Sequence, residues 1–282
     1  MDPKTKGIIE MLACASLWSI AGIFIKLINC NGFVIAGFRG LFAALVTAIY
    51  IKAGGIGFRW NRSVFRTAVF MCLLFTAFVV SNKLTTAANA IVLQFTTPVW
   101  IMLIEWMFMK KRLSGKDVAA AFFTLLGIAL CFLDKLDGGR MLGNCIAVFA
   151  GLMMAFMYIC LGTGSEQERI NGTFFGHLFT AAVGIPFLLF TKNELNSRAF
   201  LFLVILGVVQ LGIPYILLNF SSKTCPPLAC SLLGAVEPLL NPVWVALFDG
   251  EMPGPLAFAG GLVVIITVTA WCILDAKQPK AA

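Results

Sequence analysis

Residues 227–248 read PLACSLLGAVEPLLNPVWVALF: twenty-two positions with one charge, Glu237, two interior prolines, Pro238 and Pro242, and one amide, Asn241. A helix of that length rises ~33 Å, enough to cross a hydrocarbon core of ~30 Å. A helix lying against water would carry a continuous polar face, and here polar residues are too few to make one. A charged side chain at mid-bilayer costs about 2.5–3.5 kcal/mol on insertion scales, so an acid there is expected to face a cavity or a partner. Val236 and Pro238 offer Glu237 no counter-charge.

Outward from this segment the same texture repeats. Of 282 residues, 60% are hydrophobic and 12% charged, where soluble domains are about half apolar and a quarter charged. Apolar blocks bounded by charge, Gly, Pro and Asn predict ten transmembrane helices at about 7–27, 33–52, 64–83, 87–109, 117–134, 142–163, 173–191, 199–221, 227–248 and 255–275. The first block is too long for a signal-peptide core and is expected to stay as the first helix. Short connections leave no room for a soluble domain.

With the amino terminus placed inside, fourteen Lys and Arg fall in inner segments and five (Lys83, Lys135, Arg140, Lys192, Arg198) in outer loops. The positive-inside rule then predicts both termini cytoplasmic and already accounts for the net charge of +8, so the basic balance does not point to nucleic acid. The nine cysteines include no Cys-x-x-Cys pair and mostly lie within apolar blocks, where they read as small buried hydrophobes. No metal site or cofactor is expected.

Five helices per half make the second half enter the membrane with opposite polarity, which is the geometry of an inverted repeat. The predicted halves are residues 1–139 and 140–282. At an offset of 140, Lys83 matches Lys223 and Pro98 matches Pro238; an offset of 144 matches Pro98-Val99-Trp100 to Pro242-Val243-Trp244. The first is preferred because it also aligns helix ends.

Cys230, Gly234, Glu237, Asn241 and Trp244 recur at spacings of four, three, four and three and so share a helical face. Pro238 and Pro242 remove two backbone donors, which predicts free carbonyls near Gly234 and Pro238 or else a packing kink. The candidate facing wall is the helix at 87–109, with Gln94, Thr97 and the neighbouring Trp100 and a matching break at Pro98. Thr97 stands where Glu237 does in the other half, so a single carboxylate is expected to serve the site. Gln210, Tyr215 and Asn219 are further pocket candidates, and Trp18 and Tyr158 are candidate aromatic lining. Arg39 lies ~10 Å deep at 1.5 Å per residue. Snorkelling or a carbonyl contact is one reading of it; an outer gate or a pairing with Glu237 is the other. Glu10, Lys26, Lys83, Glu105 and Lys223 lie nearer span ends and are expected to be snorkelled or solvated. His177, the only histidine, falls just inside the cytoplasmic end of the helix at 173–191 and is expected to be an interfacial side chain.

The arrangement resembles the drug/metabolite transporter superfamily, in its ten-helix EamA-like branch. The resemblance rests on Ser16-Leu17-Trp18, Phe38-Arg39 and the stretch Leu228 to Glu251, where Glu237-Pro238 is followed thirteen residues later by Gly250-Glu251. The first half departs from the family pattern at Lys111, which stands at the position of the loop acid, and at Ser19, where Gly is usual. The resemblance implies a central cavity lined by helices one, three, four, six, eight and nine, and alternating access by rocking of the bundle.

The function these readings favour is secondary active transport of a small amine, amino acid or organic cation across a cell (inner or plasma) membrane. No Gly-x-x-x-x-Gly-Lys-Ser/Thr loop is present to bind a nucleotide. Glu237 can take up a proton from one side and release it to the other, so protons are candidate partners in either symport or antiport. The alternative is a membrane-embedded enzyme acting on a lipid-linked substrate, disfavoured because such chemistry needs clustered acids, a metal motif or a nucleophile with its base.

Overall fold

The computed structural model describes residues 2–131, 133, 141–249 and 255–276, with backbone only at 23, 88, 131, 241, 242, 245, 246, 248, 249, 257 and 276. Lys135, Arg140, Gly250, Glu251, Lys277 and Lys280 lie outside the described residues.

All regular structure among the described residues is helical. The helices are α1 (Pro3–Trp18), α2 (Ala21–Leu27), α3 (Gly32–Ala53), α4 (Arg62–Leu84), α5 (Ala87–Gln94), α6 (Thr97–Met109), α7 (Gly115–Cys131) and α8 (Met141–Thr163). They continue as α9 (Glu166–Gly184), α10 (Ser197–Gly207), α11 (Ile213–Ser221), α12 (Pro227–Leu233), α13 (Val236–Asp249) and α14 (Pro255–Ala276). A 3-10 turn at Ile185–Leu189 extends α9, and a π-helical turn at Val208–Gly212 joins α10 to α11. Among the described residues, seven stretches are long and apolar enough to cross a membrane: Gly32–Ala53, Arg62–Leu84, Asn89–Met109, Met141–Thr163, Glu166–Leu189, Ser197–Ser221 and Phe258–Asp275.

Helix starts follow side-chain capping. Asn31, Asn61, Thr86 and Asn196 each accept a backbone N–H of the first turn, satisfying a donor that has no intrahelical partner. The start of α9 differs from the sequence expectation of 173. Ser165 and Glu168 form a capping box, so Glu166, Glu168 and Arg169 are the first turn of the helix and not loop. That shift of seven residues moves His177 from a helix end to its middle.

Three helices are broken. Between α1 and α2, the Ser16 hydroxyl donates to the Leu12 carbonyl and the Ser19 hydroxyl to the Ser16 carbonyl, back-bonding that competes with the helical ladder. Between α5 and α6 and between α12 and α13 the break precedes the proline, because Pro98 and Pro238 sit in the first turn of the following helix, where no N–H is required. The carbonyls these prolines would leave free are taken. Gln94 O accepts from the Thr97 hydroxyl at 2.7 Å, and Gly234 O accepts from the Glu237 N–H at 2.9 Å. The expectation of a bare carbonyl at Gly234 is therefore corrected. α5 and α12 start 140 residues apart, at Ala87 and Pro227.

α3 packs along α9, α4 along α8 and α9, α1 along α11, and α7 along α14. Close approach depends on small residues, as in membrane helix packing generally. A Cβ on Gly37 would stand 2.6 Å from the Ile185 nitrogen, and one on Gly176 2.7 Å from Met71 Cβ. Side chains such as Ile49, Phe108, Leu189, Leu247 and Phe258 are exposed on the outer face, an apolar surface suited to lipid. Trp60 packs edge-on to Phe65, Phe175 and Phe179, close to Arg59 and Arg62, as at a membrane interface.

Candidate functional site

The breaks and the π turn converge on one buried cavity of about 30 Å³, lined by Trp18, Arg39, Leu74, Phe75, Phe78, Gln94, Met154, Gln210, Leu211, Tyr215 and Glu237. That volume holds a water or two and no metabolite, so the centre is closed in this conformation. α1, α4, α5, α8, α11 and α13 each contribute, and α3 adds Arg39.

Glu237 is 5% exposed, in the first turn of α13, and among the described residues its carboxyl has no hydrogen bond and no ion pair within 4.0 Å. Arg39 is 2% exposed and lines the same cavity, so it does not snorkel to an interface. Its Nη2 donates to Gln210 Oε1, its guanidinium lies 6.0 Å from the centre of the Phe78 ring, and its Nε and Nη1 have no partner among the described residues. Gln210, set on the π turn, also donates from Nε2 to the Trp18 carbonyl at 3.4 Å. A π turn inside a helix commonly marks a functional position, and here it aims one amide at both Arg39 and the α1 break.

An aromatic wall closes the cavity. Tyr215 packs 5.3 Å from the Trp18 ring and edge-on to Phe75 at 4.8 Å, and His177 stacks on Phe75 at 5.1 Å. His177 is wholly buried, with neither ring nitrogen bonded among the described residues, which corrects the interfacial placement expected of it. The cause is the earlier start of α9 together with the Gly176 contact that seats that helix on α4.

The chain matches the EamA-like transporter family twice, over residues 5–133 and 141–271. It belongs to that family. That family is one of transporters, so the enzyme alternative falls away, and the apolar helices make the chain a multi-pass membrane protein. It is 30% identical over 223 residues to solute carrier family 35 member G1 of Mus musculus, covering 74% of this chain and 53% of that protein. The chain thus spans about half the length of that relative. It is 22% identical over 271 residues to an uncharacterized transporter of Archaeoglobus fulgidus, covering 94% and 96% of the two chains. A solved crystal structure shares the fold with a TM-score of 0.81 at 15% identity, covering 98% of this chain and 100% of its own.

Within this EamA-like fold, the sequence candidates divide. Trp18, Arg39, Gln94, Gln210, Tyr215 and Glu237 meet at the cavity. Others are engaged beside it. The Thr97 hydroxyl donates to the carbonyls of Gln94 and Gly151, and Trp100 Nε1 donates to the Thr96 hydroxyl at 3.2 Å. Asn219 Nδ2 donates to Thr173 Oγ1 at 2.9 Å, and Trp244 Nε1 donates to Ser19 Oγ at 2.7 Å. The Tyr158 hydroxyl is buried and unbonded, next to the α12 break at Gly234. The side chain of Asn241 lies outside the described residues. Sequence reasoning did not select Leu74, Phe75, Phe78, Met154 or Leu211, since apolar residues in an apolar chain carry no distinguishing signal. The charges near span ends are partnered: Lys6 with Glu10 at 3.8 Å, Lys111 with Glu105 at 2.6 Å, Lys223 with Glu166 at 2.7 Å, and Lys83 with the Ile28 carbonyl at 2.5 Å.

Proposed function

We propose that the chain is a secondary transporter of a small amine, amino acid or organic cation, working by alternating access through the central cavity, with Glu237 exchanging its proton for the solute or binding both. The observation that carries this is the Glu237 carboxyl, buried in a closed cavity with no bonded partner among the described residues. A carboxylate kept in such a place without a counter-ion in contact is otherwise a net cost to the fold.

Ten spans in two inverted halves, residues 1–139 and 140–282, are part of the same reading. α4 packs on α8 as α11 packs on α1, and α5 packs on α8 as α12 and α13 pack on α1. Exchange of the halves therefore carries these contacts onto one another, as two-fold related repeats require. Lys83 and Lys223 follow suit, each closing onto what comes after the first span of its own half: the Ile28 carbonyl after α2, and Glu166 in the first turn of α9.

The route inward is supported by two larger cavities, one of about 310 Å³ where α6 and α8 end and α12 begins, and one of about 180 Å³ between the end of α6, the starts of α7 and α12 and the end of α14. Both are lined by Glu105, Lys111 and Pro226. With both termini cytoplasmic, this end faces the cytoplasm of a cell's inner or plasma membrane. A vestibule on one side of a closed centre is what one stage of a rocking cycle would leave. The test is proton-driven solute accumulation in liposomes by Glu237→Gln: abolished accumulation supports the assignment, and accumulation unchanged from wild type removes it.

A further inference from the structure

We propose that the solute is a small zwitterion with an apolar substituent, its carboxylate received by Arg39 and Trp18 and its ammonium by Glu237 and Gln94. This rests on the central cavity being the transport site, as proposed for Glu237.

The case comes from polar atoms the fold leaves unpaired. Among the described residues, Arg39 Nε and Nη1, Trp18 Nε1 and Gln94 Oε1 are all buried without a hydrogen-bond partner, and the three residues they belong to line one cavity with Glu237. Native proteins bond the great majority of such groups, so a concentration of them in one place marks a missing partner. The unmet set has two halves. The N–H groups on Arg39 and Trp18 call for acceptors, and neither side chain can itself accept. The Glu237 carboxylate and the Gln94 carbonyl oxygen call for donors.

Charge balance selects among ligands. A simple cation would satisfy Glu237 but enter beside a buried guanidinium whose spare N–H groups it could only repel. A simple anion would satisfy Arg39 and leave Glu237 either charged and unpaired or obliged to carry a proton. A zwitterion meets both and adds no net charge to a low-dielectric site, where an unpaired ion is costly. Arg39 is bonded to Gln210 and makes no ion pair with Glu237 within 4.0 Å, although both line the cavity. Leu74, Phe75, Phe78, Met154 and Leu211 line most of the remainder, beside Gln210 and Tyr215, and this mainly apolar surface suits an apolar substituent.

The experiment is a thermal-shift titration of the purified full chain with the twenty common amino acids and, for each, the decarboxylated amine and the deaminated acid. At least one apolar zwitterion is expected to stabilise the chain, with its amine and acid analogues at least tenfold weaker. Arg39→Gln should weaken the zwitterion at least tenfold and leave the amine unchanged, and Glu237→Gln should weaken zwitterion and amine together. Should Arg39→Gln not fold, Trp18→Phe keeps an aromatic ring and removes the Nε1 donor; at least threefold weaker zwitterion binding with unchanged amine binding is then expected. Stabilisation by no zwitterion, or an amine or acid that binds as tightly as its zwitterion, overturns the proposal. In that event, binding that still depends on Glu237 leaves the transport site standing, whereas affinities that none of the three substitutions alters overturn site and solute class together.

Discussion

The Arg39 guanidinium donates to the Gln210 amide oxygen across 171 residues of sequence, which fixes the buried cation of the cavity to the π-helical turn of residues 208–212. A hydrogen bond to a charged group is worth about 1.5–3 kcal/mol, and its loss would leave a further guanidinium nitrogen unbonded. Gln210→Leu is accordingly expected to lower the apparent melting temperature by ~5 °C, with Gln210→Glu keeping an acceptor and most of that stability. Differential scanning fluorimetry of the two variants against wild type reads this directly.

Exchange of a proton at Glu237 for a neutral zwitterion has an electrical consequence. The cavity holds one guanidinium and one carboxylate with solute bound, and one guanidinium and a neutral carboxyl with proton bound. One charge therefore crosses per turnover, and a potential of 100 mV contributes about 2.3 kcal/mol to the cycle. Solute flux in liposomes with a clamped potential is expected to change with that potential in wild type and to lose this dependence in Glu237→Gln.

Topology is open to chemical labelling. Thr163 lies at the wall of the 310 Å³ vestibule, and Lys192 lies at the opposite end of α9 and its extension. In a Cys145→Ser background, which removes an exposed native thiol, Thr163→Cys is expected to react with a membrane-impermeant thiol reagent only from the cytoplasmic side. Lys192→Cys should react only from the outside. The reverse pattern would invert the assigned orientation and leave the cavity chemistry untouched.

What the sequence made legible, and what it hid, has one physical source. Long apolar runs announce spans because hydrocarbon demands them, and prolines near Gly234 and Gln94 announce breaks. The breaks fall a few residues earlier than the prolines themselves, because a proline belongs inside the first turn of the new helix, not at the gap. Glu237 stands out because an acid in an apolar run has no bland local account. Arg39 does not disclose its surroundings, since Gln210 reaches it only through the packing of α3 against the π turn. His177 is misplaced from sequence because charge at Glu166, Glu168 and Arg169 resembles loop, whereas Ser165 and Glu168 form a cap that carries those charges into the helix.

Helix α9 owes its position to glycine. A Cβ at position 37 would come within 2.6 Å of the Ile185 backbone nitrogen. No side-chain rotation relieves such an overlap, and overpacking of this kind typically costs about 1–3 kcal/mol. Gly37→Ala is expected to destabilise the chain by that amount in a denaturant or thermal series. Because α9 also carries His177 against Phe75, the same variant should weaken ligand binding at the cavity.

Ser19 stands where the family pattern has glycine, and the structure gives the hydroxyl a task. It accepts from Trp244 Nε1 at 2.7 Å while donating to the Ser16 carbonyl, so it joins α13, the helix of Glu237, to the break in α1 beside Trp18. Ser19→Gly and Trp244→Phe each remove that bond; the first also removes the bond to the Ser16 carbonyl and the second trims the ring, effects that the double-mutant cycle subtracts. A neutral, partly buried bond is worth about 0.5–1.5 kcal/mol, and the double-mutant cycle should return a coupling of that size because the second substitution has nothing left to break. If α1 and α13 must separate for the cavity to open, both variants will also raise turnover at saturating solute; additive stabilities would mean the bond contributes nothing, and turnover unchanged from wild type would mean these two helices move as one.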